Sequence, residues 1–80
     1  MTVNDAVAKR IRALLRQKGI TQYKLEQKSG VYHGAMERIL SGQNKTITLT
    51  TLYKLANGFG MSVLEFLNDE IFLSEEIELD

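Results

Sequence analysis

The chain has no cysteine, no proline and no tryptophan among its 80 residues. Without cysteine it forms neither disulfides nor thiolate metal sites, so apolar packing and helix capping must stabilise its core. No apolar run approaches the roughly 18 residues of a membrane span, and residues 1–10 lack the apolar stretch of a signal peptide. These absences predict one small cytoplasmic domain without a membrane-spanning segment.

Groups for enzymatic chemistry are equally scarce. His33 is the only histidine, and the chain has no glycine-rich loop of the kind that binds phosphate groups. The residue types needed for a metal site, a thiol nucleophile or a nucleotide site are therefore missing. We expect no catalytic activity and no metal or other cofactor.

The formal net charge is zero, but the charges are unevenly distributed along the chain. Ten basic and three acidic residues give residues 1–60 a charge of +7, and residues 61–80 carry −7. The acids of this last part are Glu65, Asp69, Glu70, Glu75, Glu76, Glu78 and Asp80. Such asymmetry is typical of a chain in which one part contacts nucleic acid and another forms an acidic tail.

Helical spacing dominates the apolar pattern, which together with the absence of proline predicts an all-α fold. The first predicted helix ends near Lys18 and has a core-facing stripe of Val3, Val7, Ile11, Leu14 and Leu15. Its other faces carry basic residues that we interpret as solvated surface, with phosphate contact as the alternative. These residues are Lys9, Arg10, Arg12, Arg16 and Lys18.

Two further helices are predicted in the second half of the chain. Thr48 caps the fourth helix, Gly60 ends it, and Tyr53 is expected in the core with Leu49, Leu52, Leu55, Ala56 and Phe59. Ser62 and Glu65 form a capping box at the start of the fifth helix. Its predicted packing surface consists of Val63, Leu64, Phe66 and Leu67.

Between Thr21 and Gly42, two short helical patterns are joined by a turn centred on Gly30. Gly30 can adopt a positive φ without steric cost, and Met36 and Ile39 lie on one face of the helix that follows. The opposite face carries His33, Gly34, Glu37 and Arg38. This arrangement resembles a helix-turn-helix that reads the major groove of DNA.

The wider pattern resembles the Cro/repressor, or XRE-like, DNA-binding domains of phage and bacterial regulators, over about residues 7–67. The matching positions are Thr21, Gln22, Leu25, Ser29, Gly30, Val31, Ile39, Gly42, Leu49, Leu52, Leu55, Ala56, Gly60 and Ser62. The resemblance implies a compact five-helix, phage-repressor-like domain with the helix-turn-helix at helices 2 and 3. We assign residues 1–68 to this domain and residues 69–80 to an acidic C-terminal tail.

Three positions depart from the family pattern. Glu26 replaces a common alanine where helices 2 and 3 cross, and it needs either the space at Gly34 or a cationic partner such as Arg38. Tyr32 replaces a capping serine or threonine, which weakens the predicted start of helix 3. Leu15 and Leu40 occupy positions where relatives often pair arginine with glutamate, and we expect them to form an apolar core contact.

The resemblance also implies the DNA-contacting residues. The base-reading positions are His33, Gly34, Glu37 and Arg38, where Arg38 suits guanine, Glu37 suits cytosine N4, and Gly34 permits close backbone approach. The phosphate and backbone contacts are Gln22, Tyr23, Tyr32, Asn44, Lys45 and Thr46. The alternative for each is ordinary exposed polar surface.

These features predict a sequence-specific regulator of transcription that binds double-stranded DNA as a homodimer, most simply a repressor that occupies its operator. The alternative is an antitoxin, or another protein-interaction module, whose residues 71–80 bind a basic protein partner. Residues 71–80 mix acidic and apolar side chains without a single period. The sequence leaves open whether they are disordered, a terminal extension or an interface.

Overall fold

A computed structural model describes residues 1–79 of the chain. Its elements are α1 (Val3–Lys18), α2 (Gln22–Ser29), α3 (His33–Ser41), α4 (Leu49–Gly58), α5 (Val63–Leu67) and a 3₁₀ helix (Glu70–Leu73). Within the described part, the only β pairing is an isolated parallel bridge between Thr2 and Glu78. The prediction of a five-helix, all-α fold is confirmed. No helix of residues 1–79 is long and apolar enough to cross a bilayer.

Hydroxyl caps define the starts of four helices. The side chain of the capping residue accepts a hydrogen bond from a backbone N–H of the first helical turn, at Thr2, Thr21, Thr48 and Ser62. The predicted capping box of Ser62 and Glu65 is present, and Thr2 forms a second one with Asp5. Tyr32 provides no side-chain cap for α3, as expected.

The core lies where α1, α2, α4 and α5 meet beneath α3. Its largest fully buried apolar side chains are Val7, Ile11, Leu25, Met36, Leu55 and Phe66. The packing of α2 against α4 is especially close, because a Cβ atom on Gly58 would lie 2.8 Å from Ser29 Cβ and 2.9 Å from Leu25 Cδ1. Leu15 and Leu40 are each partly buried and pack against the core, and the expected contact between the two side chains stays a prediction.

Two predicted core residues, Tyr53 and Leu64, are on the surface instead. Tyr53 is 51% exposed and Leu64 is 77% exposed. Each precedes a buried residue, Leu55 or Phe66, by two positions, which is about 200° around a helix of 3.6 residues per turn. Leu49, at the first position of α4, is exposed as well. Apolar character alone therefore overestimated the width of the buried stripe on α4 and α5.

The predicted solvated position of Arg10 is also wrong. Its side chain is only 9% exposed, and its Nε donates to the carbonyl of Phe66 at 2.7 Å. One terminal nitrogen donates to the Glu65 carbonyl at 3.0 Å, and the other pairs with Asp69 at 3.3 Å. The guanidinium also lies 5.9 Å from the centre of the Phe66 ring. Arg10 thus fixes the end of α5, and the chain after it, to α1.

The acidic tail is folded against α1. The 3₁₀ helix packs on α1, and the Phe72 ring lies 6.3 Å from the Phe66 ring. Further on, the Glu78 N–H donates to the Met1 carbonyl at 2.8 Å. Of the three options for the tail, residues 69–79 therefore form a terminal extension, and their role as an interface stays a prediction. Asp80, which belongs to the predicted tail, lies outside the described residues.

Candidate nucleic-acid interface

The turn between α2 and α3 sets the direction in which α3 faces. Gly30 closes α2 with a φ of 77°, and Val31 is buried directly after it. Met36 and Ile39 are buried on the inner face of α3, which confirms the core position predicted for Met36. The outer face of α3 is therefore free of packing, and His33, Glu37 and Arg38 are exposed there.

Residues of α1 hold α3 in this position. The buried Asn4 donates from its side-chain nitrogen to the Ile39 carbonyl at 2.8 Å. Arg12 donates to the next carbonyl, that of Leu40. Both contacts are made to carbonyls in the last turn of α3, and the Ile39 carbonyl also accepts from the Gly42 N–H at 3.3 Å. Sequence analysis missed these supports because nothing local to Asn4 or Arg12 indicates which helix end lies beside them.

Four polar side chains form a network between α2 and α3. The Gln22 amide nitrogen donates to the Glu26 carboxylate at 2.9 Å and to the Glu37 carboxylate at 2.8 Å. The Glu26 carboxylate also contacts Nδ1 of His33 at 2.9 Å. The partner of Glu26 is therefore His33 rather than Arg38, and the space at Gly34 is filled by the Tyr32 ring.

This network changes the acidity of two groups. The hydrogen bond from Gln22, followed by the contact with His33, lowers the pKa of Glu26 below its ordinary value. The hydrogen bond to Glu26 raises the pKa of His33 above 6.5. The Glu26 side chain is only 10% exposed, whereas His33 is largely open to solvent. Protonated His33 thus offers an exposed positive charge whose counterion lies between the helices.

Tyr32, just before the start of α3, and Arg38, in its last turn, form a second pair. The Nη2 nitrogen of Arg38 donates to the Tyr32 hydroxyl at 2.7 Å, and the guanidinium carbon lies 5.7 Å from the centre of the Tyr32 ring. A Cβ atom on Gly34 would lie 3.1 Å from Cε2 of the ring. The missing side chain of Gly34 therefore leaves room for the ring to lie along α3.

The predicted phosphate-contacting residues separate into two groups. Tyr32, Asn44 and Thr46 line one open cleft of about 210 Å³ between the start of α3, the following loop and α4. Lys45, between Asn44 and Thr46 in the chain, is exposed to solvent. Gln22 and Tyr23 do not line this cleft. Gln22 belongs to the network described above, and the Tyr23 hydroxyl accepts a hydrogen bond from Gln27 at 2.8 Å.

Lys54, Thr48 and Thr51 also line this cleft, and the sequence analysis did not assign them. Thr48 caps α4, so the free N–H groups and the positive dipole end of that helix face the same opening. Thr48, Thr51 and Lys54 follow one another at intervals of three residues, which places them along one side of α4. That spacing is visible in the sequence and was available as a signal.

The exposed second helix of a helix-turn-helix, flanked by a cleft at a helix N-terminus, defines a DNA-binding domain. A family model described as the Cro/C1-type HTH DNA-binding domain matches residues 10–70. The chain belongs to this family, which confirms the suspected resemblance. No match was found among curated proteins, and none was found among solved structures.

Proposed function

We propose that this protein is a sequence-specific regulator of transcription that represses by occupying an operator. The observation that supports it best is the outer face of α3, where His33, Glu37 and Arg38 stand clear of the core on a helix held by Asn4 and Arg12. Side chains in the first turns of such a helix reach base edges in the major groove. Arg38 donates to O6 and N7 of guanine, and Glu37 accepts from N4 of cytosine.

The phosphate contacts belong to two sites in this proposal. The cleft lined by Tyr32, Asn44 and Thr46 receives one phosphate group together with Lys45 and Lys54. Gln22 and Tyr23, at the start of α2, contact another. Two copies of the chain bind as a homodimer, with their recognition helices in successive major grooves about 34 Å apart. Gly34 and the shape of the DNA account for part of the sequence preference.

The test begins with selection of preferred duplexes from a random library by the full chain. Fluorescence anisotropy then gives Kd for a selected duplex and for a scrambled one. Arg38→Ala is expected to lower the free-energy difference between binding the two duplexes by about 1–3 kcal/mol, because a bidentate contact with guanine is lost. Arg16→Ala, which removes an exposed arginine from α1, serves as the control. If Arg38→Ala loses the same affinity for both duplexes, Arg38 contacts a phosphate rather than a base. If the selection yields no preferred duplex, the proposal is wrong.

The second candidate function is a protein-interaction module, such as an antitoxin, and the surface of the tail favours it. Leu73 is 82% exposed and Leu79 is 86% exposed within an acidic segment, a combination that suits a basic, partly apolar partner. In this proposal residues 1–68 bind DNA and residues 71–80 bind the partner.

Two variants separate these functions. Removing residues 71–80 deletes the whole arm, and Leu73→Ser with Leu79→Ser keeps the backbone and the Phe72 contact with Phe66. If residues 71–80 bind a partner, a basic protein that co-purifies with the parent chain is absent from both variants, and both variants still bind DNA. Dissociation of the dimer in size-exclusion chromatography instead makes the tail an oligomerisation element. Tighter DNA binding at low salt after truncation would show that the tail competes with DNA.

A further inference from the structure

The exposed Arg38 side chain has a partner already in the free protein, because Tyr32 lies beside its guanidinium. Its Nη2 nitrogen donates to the Tyr32 hydroxyl at 2.7 Å, and its central carbon lies 5.7 Å from the centre of the Tyr32 ring. Both side chains are exposed, so the pair does not stabilise the core. Tyr32 is also the residue that leaves α3 without a side-chain cap. A serine or threonine there would cap the helix, whereas the tyrosine gives a contact to Arg38 instead.

We propose that Tyr32 is a positioning residue that holds the Arg38 guanidinium ready for guanine, and that Gly34 is the position that permits it. The inference rests on the proposed function, in which Arg38 reads a base. An arginine side chain loses much rotamer freedom when it binds, and a contact already formed in the free protein removes part of that cost. Tyr32 therefore contributes to specificity without touching a base.

The hydrogen-bond geometry leaves Arg38 able to read guanine. Nη2 carries two protons and gives one to Tyr32, so one two-donor edge of the guanidinium stays free for O6 and N7. The Tyr32 hydroxyl accepts from Arg38 and keeps its own proton, which it can donate to a phosphate oxygen. Tyr32 lines the cleft together with Asn44 and Thr46, so a phosphate group bound in the cleft would lie close to Tyr32. The tyrosine thus links the phosphate cleft to the base-reading arginine.

Gly34 is part of the same device. A Cβ atom at this position would lie 3.1 Å from Cε2 and 3.5 Å from Cδ2 of Tyr32, and 3.7 Å from Nη1 of Arg38. The ring must then move by a few tenths of an ångström, away from α3 and from its contact with the guanidinium. The backbone at Gly34 is helical, so alanine adds no strain of its own. Gly34→Ala therefore moves the ring while leaving every polar group in the chain. Because Gly34 also permits close approach of the backbone to DNA, only the part of its effect that disappears in the Arg38→Ala background reports on the ring.

The experiment measures a discrimination ratio, which is Kd for a duplex with its guanine replaced divided by Kd for the selected duplex. The replaced guanine is the one whose replacement weakens binding by the parent protein but leaves Kd for the Arg38→Ala variant unchanged. Tyr32→Phe, which keeps the ring and loses the hydroxyl, is expected to lower the ratio about threefold, and Tyr32→Ala about tenfold. Gly34→Ala is expected to give an intermediate loss. Tyr53→Phe and Tyr53→Ala delete the same atoms from an exposed tyrosine on α4 and serve as matched controls.

A double-mutant cycle separates positioning from direct contact. If Tyr32 acts through Arg38, Tyr32→Phe has no effect on the ratio in the Arg38→Ala background. If Tyr32 only contacts a phosphate, its removal lowers the affinity for both duplexes equally, and the effect cancels in the ratio. The inference is overturned if the ratio is unchanged or increased in Tyr32→Phe and Tyr32→Ala. If Arg38→Ala still loses the ratio, the proposed function remains intact. If Arg38→Ala changes the ratio at no guanine of the selected duplex, the base-reading role of Arg38 and the inference are overturned together. Circular dichroism melts confirm that each variant is folded.

Discussion

Arg10 and Arg38 each lie over an aromatic ring, yet their surroundings differ. Arg10 is almost fully buried, with two backbone carbonyls and Asp69 as acceptors and Phe66 as the ring. Arg38 is exposed, and the Tyr32 hydroxyl is its side-chain acceptor. Every nitrogen of the Arg10 guanidinium has an acceptor within the protein, whereas Arg38 keeps two of its three nitrogens without a protein acceptor among residues 1–79.

This difference separates a structural arginine from a candidate binding one. Removing a buried donor leaves its acceptors without partners in a region that water reaches poorly, and this costs stability. Removing an exposed donor costs little stability, because water replaces it. The predictions below test this contrast between the end of the molecule around Arg10, α5 and the tail, and the exposed face around α3.

The largest effect is expected from Arg10→Met, which keeps an apolar stem but removes the guanidinium. The carbonyls of Glu65 and Phe66 and the carboxylate of Asp69 then lose a donor, and we expect a loss of about 2–4 kcal/mol in the free energy of unfolding. Urea denaturation measures it. Arg16→Met, at an exposed position on α1, should change stability by no more than about 0.5 kcal/mol. Equal losses in the two variants would mean that burial of Arg10 does not matter.

Gly58 and Gly34 give the next comparison. Alanine at Gly58 would place its Cβ 3.1 Å from the backbone of Ser29, so α2 and α4 must separate, at a cost of about 1–3 kcal/mol. Alanine at Gly34 meets an exposed ring that can move, and its effect on stability should be within about 0.5 kcal/mol. Thermal melts of both variants measure the difference. A Gly58→Ala protein as stable as the parent would show that α2 and α4 can adjust to the extra methyl group.

Lys54 tests the phosphate cleft through the salt dependence of DNA binding. Each phosphate neutralised by the protein contributes about 0.9 to the slope of log K against log salt concentration. Lys54→Ala should therefore make this slope less steep by about one on any duplex, without changing sequence preference. Lys18→Ala is the control, because Lys18 does not line the cleft and its charge acts on Glu65 in α5. An unchanged slope in Lys54→Ala would remove Lys54 from the DNA contact.

The smallest effect concerns pH and the pair formed by His33 and Glu26. Because the folded protein raises the pKa of His33, the pair contributes stability that is complete below the ordinary histidine value of 6.5 and disappears as pH rises through the raised value. Glu26 has a lowered pKa, so its contribution is lost only as the pH falls through that lowered value. The parent should melt above His33→Gln near about pH 5.5 and at the same temperature near about pH 8.5. A gap that is constant across this range would exclude titration of His33 as its cause, and an NMR titration of the imidazole gives the pKa directly.

The helices could be predicted well from the sequence, whereas several contacts in the candidate site could not. Thr21, Thr48 and Ser62 mark helix starts because a cap depends on residues within one turn. Gly30 and the outward face of α3 follow from the same local spacing. The partner of Glu26 depended on how α2 crosses α3, and His33 was not among the partners considered. The assignment of the DNA-contacting residues stays a prediction.

The sequence by itself determined the starts of α2, α4 and α5, and that the face of α3 opposite Met36 and Ile39 would be polar. Those features depend on hydrogen bonds and side-chain spacing within a few residues of the chain. Only the tertiary structure decided that Arg10 binds the carbonyl of a residue 56 positions away, and that Tyr32 lies beside Arg38 in the space left at Gly34. The contact of Arg10 depends on the packing of distant helices. The contact of Tyr32 depends on rotamers chosen in the packed molecule, which no local pattern specifies.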